Sequence, residues 1–466
     1  MDTTLFSASE WAQTEFGEVI CGDVRRKKRL IRVAKALVET PNGTLPPAIP
    51  KWAELKSAYR LFGIEEVMYE NIIEPHCKRM RNICGQKGEY LLIEDTTQID
   101  FTFRKNIKGL GRIGDDGGKG MYLHTTLAAC IEEWEENGKP RITVPGLFNQ
   151  MSWTREGTSK REQGETTTER LSRNRESQRW TSIFKKTGGP CSGSKWIYVA
   201  DRESDIYEVF EECQKNSIDF IVRANQRRAL EGLDVSIFDA IKECPVQGKF
   251  EIELRARPDI PARKAVVEVR SSCVTLRGPW RPGGRLEPFT LNVVEVREIK
   301  QPKGINPIEW VIMTSLHIEK LAEVKRIIGA YSRRWIIEEY HKALKTGTRI
   351  ESSQLSDVNR IKALLGVLSI VAVRLLNMKL LASALPNTAI EVENIEPEIL
   401  NILEAKFTKP KGGWNNSSLL TAIARMGGFL ARKSDGNPGW ITIWRGWKRL
   451  TDMTYGYRLA IGIEIT

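Results

Sequence analysis

Two short apolar runs, each ending in an aspartate, constrain this chain more than any other feature. Tyr90-Leu91-Leu92-Ile93-Glu94-Asp95 and Trp196-Ile197-Tyr198-Val199-Ala200-Asp201 are continuously apolar rather than alternating, the pattern of strands covered on both faces. The second is followed by a predicted helix from Asp205 to Lys215 and a third run, Phe220-Ile221-Val222-Arg223. Strand, helix, strand predicts an α/β fold with a mixed sheet. Carboxylates at neighbouring carboxyl ends of such strands lie where open α/β sheets hold their ligands. Magnesium-like cations take oxygen donors and only a few protein carboxylates. Two such ions, roughly 3.5–4 Å apart, stabilise both oxygens of an in-line phosphoryl displacement, so a third acid is expected from elsewhere in the chain.

At 466 residues the chain is long enough for two or three domains. Its net charge of +12 and pI near 9.2 favour a polyanionic partner, nucleic acid or a membrane surface, without choosing between them. The most apolar run, Ala363 to Val373, is closed by Lys362 and Arg374. That is short of the roughly 20 residues a bilayer requires, so a buried core helix is expected. Met1-Asp2-Thr3-Thr4 shows no basic, then apolar, secretory pattern. The eight cysteines are scattered with no C-x-x-C pair, and there are four histidines. Zinc spacing is absent, and free buried thiols in a reduced, cytoplasmic setting are expected.

The first sixty or so residues read as helical and basic. A helix starting at Gly22-Asp23 places Leu30, Ala34, Leu37 and Val38 on one side and Arg25, Arg29 and Arg32 on another. Six basic residues and no acid lie between Arg25 and Arg32, which favours phosphate contact over an ordinary solvated face. A second helix is predicted around Trp52 to Phe62. From Lys249 to about Leu316 the chain reads as successive strands (Phe250 to Leu254, Ala265 to Val269, Phe289 to Val294, Trp310 to Thr314), an all-β insertion with a basic edge of Arg255, Arg257, Arg263 and Lys264. Helices resume over Ile318 to Lys345 and Val358 to Leu385. A smaller helical tail follows, with Leu419 to Met426 stopped by Gly427-Gly428 and a segment carrying Trp440, Trp444 and Trp447. Glu156 to Ser177 reads as a mobile polar connection.

The helix after the β block supplies a candidate third acid. At roughly 100° per residue, Tyr331, Arg334, Glu338 and Lys345 fall on one face, with Ile336, Ile337, Ala343 and Leu344 opposite and Glu339 off that face. Pattern alone is equally the mark of an amphipathic surface helix, and that is the plainer reading. The spacing Y-x-x-R-x-x-x-E-x-x-x-x-x-x-K, however, is similar to the signature of bacterial DDE transposases of insertion sequences, the Tn five transposase-like group. The words Ile93-Glu94-Asp95-Thr96-Thr97, Asp201-Arg202-Glu203-Ser204-Asp205 and Arg334-Trp335 through Lys345-Thr346-Gly347 resemble that group too. The likeness runs from Gly22-Asp23 to Ala422-Ile423-Ala424-Arg425-Met426-Gly427-Gly428-Phe429 and so covers nearly the whole chain.

The resemblance implies a ribonuclease H-like catalytic domain over residues 69–372, interrupted by the β insertion at about 240–316. A helical DNA-binding domain (1–68) precedes it and a helical dimerisation domain (373–466) follows. It implies Asp95, Asp201 and Glu338 as the metal-binding triad, holding two Mg2+ ions for which Mn2+ can substitute. Tyr331, Arg334 and Lys345 would contact the element end near the cut. Trp310, which on its own would read as a core strand tryptophan, would stack on a flipped base. Arg223 would contact DNA, although the family's lysine two positions later is Asn225 here; Arg25, Arg26, Arg29 and Arg60 would serve end recognition. A strongly basic stretch that the group carries near Phe407 to Asn416 is missing.

The implied activity is cut-and-paste transposition. Water cuts one strand, the freed 3′-hydroxyl closes a hairpin, the hairpin is reopened, and the hydroxyl joins target DNA. The implied partners are element-end DNA, target DNA and a second copy in a synaptic dimer, with no membrane and no ATP, in the bacterial cytoplasm at the nucleoid. A catalytically silent DNA-binding relative or inhibitor is the alternative. Gly109-Leu110-Gly111-Arg112-Ile113-Gly114 fits G-x-G-x-x-G, but Asp115-Asp116-Gly117-Gly118 follows instead of a helix, so a flexible loop is expected. Tyr331 shares a helix with an acid, which argues for positioning rather than covalent attack. Glu94, Glu203 and Asp205 flank the chosen acids as supporting residues or decoys.

Overall fold

The structure, a computed structural model, describes residues 7–40, 44–114, 117–155, 179–255, 260–390, 395–432 and 435–462. Its centre is β1 (Gly88–Asp100), flanked by β3 (Gly118–Trp134) on one side and β5 (Ser194–Ala200) on the other. β1, β5 and β6 (Asp219–Arg223) run parallel, while β3 is antiparallel to β1. The class expected from the sequence, a mixed sheet between helical ends, is the one observed.

The continuous apolar runs form because this sheet is covered on both faces. Along β1, Leu91 and Ile93 enter one core while Tyr90 and Leu92 enter the other. Along β5, Ile197 and Val199 join the first core, and Trp196, Tyr198 and Ala200 the second. Strand residues alternate sides, so each face of the sheet receives every second residue. On the first face lie the long helix Val358–Ala384 and the helix Ile336–Lys342, whose Ile336, Ile337 and Tyr340 are fully buried. On the second lie the helices Arg179–Thr187 and Tyr207–Lys215.

Three findings revise the sequence reading and one extends it. The antiparallel insertion after Lys249 joins the central sheet: β10 (Glu309–Thr314) pairs antiparallel with β6 and is followed outward by β9 (Phe289–Glu298), β8 (Arg263–Leu276) and β7 (Gly248–Leu254). The insertion therefore lengthens the central sheet, because the open edge of β6 offers unpaired backbone groups that a strand can satisfy. Its expected basic edge is largely neutralised: Arg263 makes a bidentate ion pair with Glu298 and Lys264 lies 3.7 Å from Glu251, while Arg257 is outside the described residues. Gly109 to Gly114 is not wholly loop, since β2 (Gly111–Ile113) pairs with β3; Gly120 there leaves no room for a Cβ, which would meet the Ile99 carbonyl. Cys191 and Cys273 are exposed rather than buried.

Two long strands went unread. β3 and its partner β4 (Pro140–Trp153) form the hairpin beside β1. Residues 156–177 lie outside the described residues. The apolar stretch around Ala363 is a buried core helix, as expected, with 83% of its most apolar window covered by the protein.

The N-terminal helices Ala8–Phe16, Val24–Glu39 and Trp52–Leu61 precede this body. Asp23 caps the second by accepting the Arg25 amide at 2.5 Å, as the Gly22-Asp23 start predicts. Its apolar side, Leu30, Val33, Ala34, Leu37 and Val38, is buried. At the other end, Asn416–Met426 packs on Trp440–Ala460, and Trp440, Trp444 and Trp447 are buried.

Candidate active site

Strand alternation decides which acids meet. Asp95 follows Leu91 and Ile93 onto the face that carries the helix Ile336–Lys342. Asp201, directly after β5, continues the side of Ile197 and Val199. Since Glu94 pairs with Ala200 across the parallel ladder, the two aspartates stand at neighbouring carboxyl ends. Glu94 falls on the opposite face, where its carboxylate pairs with buried His124, itself 2.8 Å from the Thr96 hydroxyl. Asp205 accepts the Asn225 and Gln226 amides at 2.7 and 2.6 Å and pairs with Arg228. It anchors a turn, so Glu94 and Asp205 are structural rather than alternative ligands.

Burial is the main reason the Asp95 carboxyl is pushed up to about 7; the charge of Asp201 adds to it, and Arg334 and the Thr96 amide oppose it. Burial and Asp201 likewise raise Glu203. Asp201 also caps the turn Arg202–Ser204, accepting the Glu203 amide at 2.8 Å. The third acid approaches through a cation. Arg334 donates to Glu338 at 2.5 Å and lies 3.8 Å from Asp95. Burial disfavours its charge, but Tyr331, Glu338 and Asp95 outweigh that and hold the guanidinium above its ordinary value.

The segment bearing these residues is not the single helix expected over Ile318 to Lys345. It runs as an α-helix Leu321–Ser332, a 3₁₀ turn Arg333–Trp335, an α-helix Ile336–Lys342 and a π turn Ala343–Gly347. The first change coincides with Arg333, whose guanidinium binds the Pro140 carbonyl. The second coincides with Gly347, where a Cβ would lie 1.8 Å from the Trp444 ring. Such turns interrupt helices where side chains must be re-aimed. Tyr331, Arg334 and Glu338 still share a side, and Ile336, Ile337, Ala343 and Leu344 are fully buried opposite. Lys345 lies instead beside Glu351 and Asp100; burial lowers its ammonium and these two acids oppose the shift.

Trp310 is half-buried, its ring 5.5 Å from that of Tyr331 in an edge-to-face pair. Burial raises the Tyr331 hydroxyl, and the nearby Arg334 and Arg223 charges pull it back. Arg223, at the end of β6, donates to the Glu309 carbonyl at 3.1 Å. The four N-terminal arginines are not at the strand ends. Arg25 and Arg60 are exposed, Arg26 pairs with Glu66 at 3.1 Å, and Arg29 lines a cavity of about 1050 Å³ between the N-terminal helices and Trp440–Ala460. Sequence reasoning placed Arg255 only on the insertion's basic edge and missed its contacts: its guanidinium lies 3.0 Å over the Trp335 ring and 3.5 Å from Glu339. The adjacent Arg255 and Trp335 patterns carried no signal of that contact, because it joins residues 80 positions apart.

Among the described residues, no three His, Cys, Asp and Glu side chains stand close enough together to hold a metal ion as they are. The donor set nonetheless fits a hard cation. Two aspartates share a half-buried site that raises one of them, and the positive charge beside Asp95 and Glu338 comes from Arg334.

Residues 8–67 match the family described as transposase DNA-binding, 184–374 the transposase DDE domain, and 370–465 the transposase Tn5 dimerisation domain. The chain belongs to the DDE transposases of the Tn5-like group. Membership brings divalent-metal chemistry, DNA as a partner and a dimerisation domain. The DDE match contains Asp201 and Glu338 but begins after Asp95, so the case for Asp95 is its place beside Asp201 in the sheet. A similar solved structure is a piggyBac transposase synaptic complex with hairpin DNA. It is 10% identical, with 91% of this transposase and 87% of that chain covered and a TM-score of 0.33.

Proposed function

We propose that this transposase moves DNA by cut-and-paste, with Asp95, Asp201 and Glu338 as its metal-binding acids. The observation that carries the reading is the pair of aspartates at neighbouring carboxyl ends of parallel strands, with one guanidinium reaching from Glu338 to Asp95. Divalent cations, Mg2+ or in its place Mn2+, would stabilise the entering and leaving oxygens of in-line phosphoryl displacement there. The chain's own residues do the rest. Arg334 neutralises two of the acids while no DNA is bound, then turns to a phosphate of the element end, freeing Glu338. Glu338 has the room for this, since its side chain is 56% exposed. Lys345, Arg223 and Tyr331 hold the backbone near the cut. Trp310, already edge-on to Tyr331, offers a ring for the base displaced when the 3′-hydroxyl closes a hairpin; the reopened end then joins target DNA.

Arg25, Arg26, Arg29 and Arg60 supply end recognition from the N-terminal helices. The working division is 1–68 for DNA binding, 69–372 for catalysis and 373–466 for pairing two copies in a synapse at the bacterial nucleoid. One observation favours a second reading, a catalytically silent DNA-binding relative: the three acids do not yet form a closed ligand set. Purified protein, DNA carrying the inverted ends of its own element, and Mg2+ decide between them. Hairpin-ended donor fragments, abolished in Asp95→Asn, Asp201→Asn and Glu338→Gln, are expected. End binding with no metal-dependent cleavage overturns the enzymatic reading in favour of the silent one.

A further inference from the structure

The acid next to Glu338 has an environment of its own. Glu339 is turned about 100° from Glu338 around the helix, away from the strand ends. Its carboxylate gathers donors from three distant parts of the chain. The Lys379 ammonium donates at 2.8 Å and the Trp440 indole N–H at 2.5 Å, both to Oε2. Arg255, just past the end of β7, lies 3.5 Å from Oε1. The cluster is packed as well as paired. Arg255 stacks on Trp335 one turn before Glu339, and the Lys379 ammonium lies 4.6 Å over the Trp440 ring.

The same C-terminal helix grips the segment at a second point. Trp444, stacked 5.9 Å from Trp440, lies against Gly347 so closely that no side chain fits there. Lys379 and Trp440 both lie within the dimerisation-domain match, 370–465. A carboxylate that is only 14% exposed is costly to bury unless its partners are fixed. Here those partners define how far the helix Ile336–Lys342 is rotated, and hence where Glu338 sits.

We propose that Glu339 is a positioning residue, a brace through which the docked C-terminal helix and the β insertion set the place of Glu338. The proposal rests on the reading of Glu338 as a metal-binding acid only for its effect on cleavage. Its structural half, the brace on Ile336–Lys342, stands independently.

The test uses the full chain with Glu339→Gln, which removes the charge while keeping an acceptor, and Trp440→Phe, which removes one N–H and keeps the ring. Both are expected to bind end DNA within about twofold of wild type, while first-strand cleavage at saturating protein falls roughly 10- to 100-fold, the scale of a 1 Å misplacement. The double variant is expected to lose clearly less than the product of the two single losses, since both substitutions loosen the same brace. Hydrogen exchange is expected to rise in Ile336–Lys342 and to stay unchanged in Val358–Ala384. Losses that multiply, or cleavage that falls only in step with end binding, overturn the proposal. If wild-type protein cuts nothing, the assignment of Glu338 fails, and exchange alone judges the brace: a rise in Ile336–Lys342 upholds it and no change sinks it.

Discussion

Single residues here carry opposite solutions to burial. Asp95 is buried beside another acid and its carboxyl rises to about 7, whereas Glu339 is buried among donors. Burial raises Glu339 but Lys379, Trp440 and Arg255 outweigh it, leaving the carboxyl below its usual range. Under the proposed function the first arrangement is one that an incoming cation would relieve, whereas the second is already balanced by its donors. His341 is a third case. Burial, with Lys345 and other cations nearby, lowers its imidazole to about 3, so it stays neutral in the fold while the unfolded chain protonates near 6.5. The unfolded state then binds more protons as pH falls from 6.5 towards 3, and stability is lost over that window. Between pH 7 and pH 5 the loss from this residue is about 2 kcal/mol. Denaturant unfolding of wild type and His341→Leu across that range should show the variant's dependence shallower by that amount; parallel curves would mean that the fold leaves the His341 imidazole at its ordinary value.

Among the elements, those built on apolar periodicity were legible and those built on close approach were not. β1, β5, β6 and the helix Val358–Ala384 follow directly from runs of apolar residues. The hairpin β3–β4 was hidden because its buried residues include the polar His124, Thr125, Thr126, Asn149 and Gln150, which interrupt the apolar pattern that announces a strand. The breaks in the signature segment were hidden because they answer to Pro140 and Trp444, far away in sequence. Glycines mark another such contact. Where Asn416–Met426 crosses Trp440–Ala460, a Cβ on Gly446 would lie 1.7 Å from the Ile423 carbonyl, and one on Gly427 would lie 1.8 Å from that of Thr442. Gly446→Ala must push these helices apart and should cost at least about 1–3 kcal/mol of stability in chemical denaturation. An unchanged midpoint would show that the crossing is looser than described.

Across the whole molecule, the layout of helical ends around a mixed sheet was readable, because the pattern turns from helical to strand-like near Tyr90 and back to helical near Ile318. The candidate triad was readable only with the family signature, since nothing local says that Glu338 rather than Glu339 faces the aspartates. How the parts fuse was not readable at all. One apolar core contains Trp11 and Phe16 of the first helix, Leu91 and Ile197 of the sheet, and Trp440 and Trp447 of the last helix. Polar ties reinforce it, with Thr451 donating to the Glu39 carbonyl at 2.7 Å and Arg458 binding Glu396 and Glu398. Calorimetry of the DNA-free protein should therefore give one cooperative transition, shifted as a unit by Trp11→Ala. A separate early transition of the N-terminal region would contradict a shared core.

The π turn at Ala343–Gly347 alters how the interval between Glu338 and Lys345 should be understood. In an unbroken α-helix seven residues complete nearly two revolutions and bring two side chains almost into line; a wider coil adds slack, so the lysine lags behind the acid. Separation counted along the chain is thus no measure of angular alignment here. Only a return of Ala343–Gly347 to regular α geometry, with all seven residues kept, would bring the pair back into line; excising a residue would leave six, about 600° of rotation, and carry the ammonium roughly 120° from the glutamate.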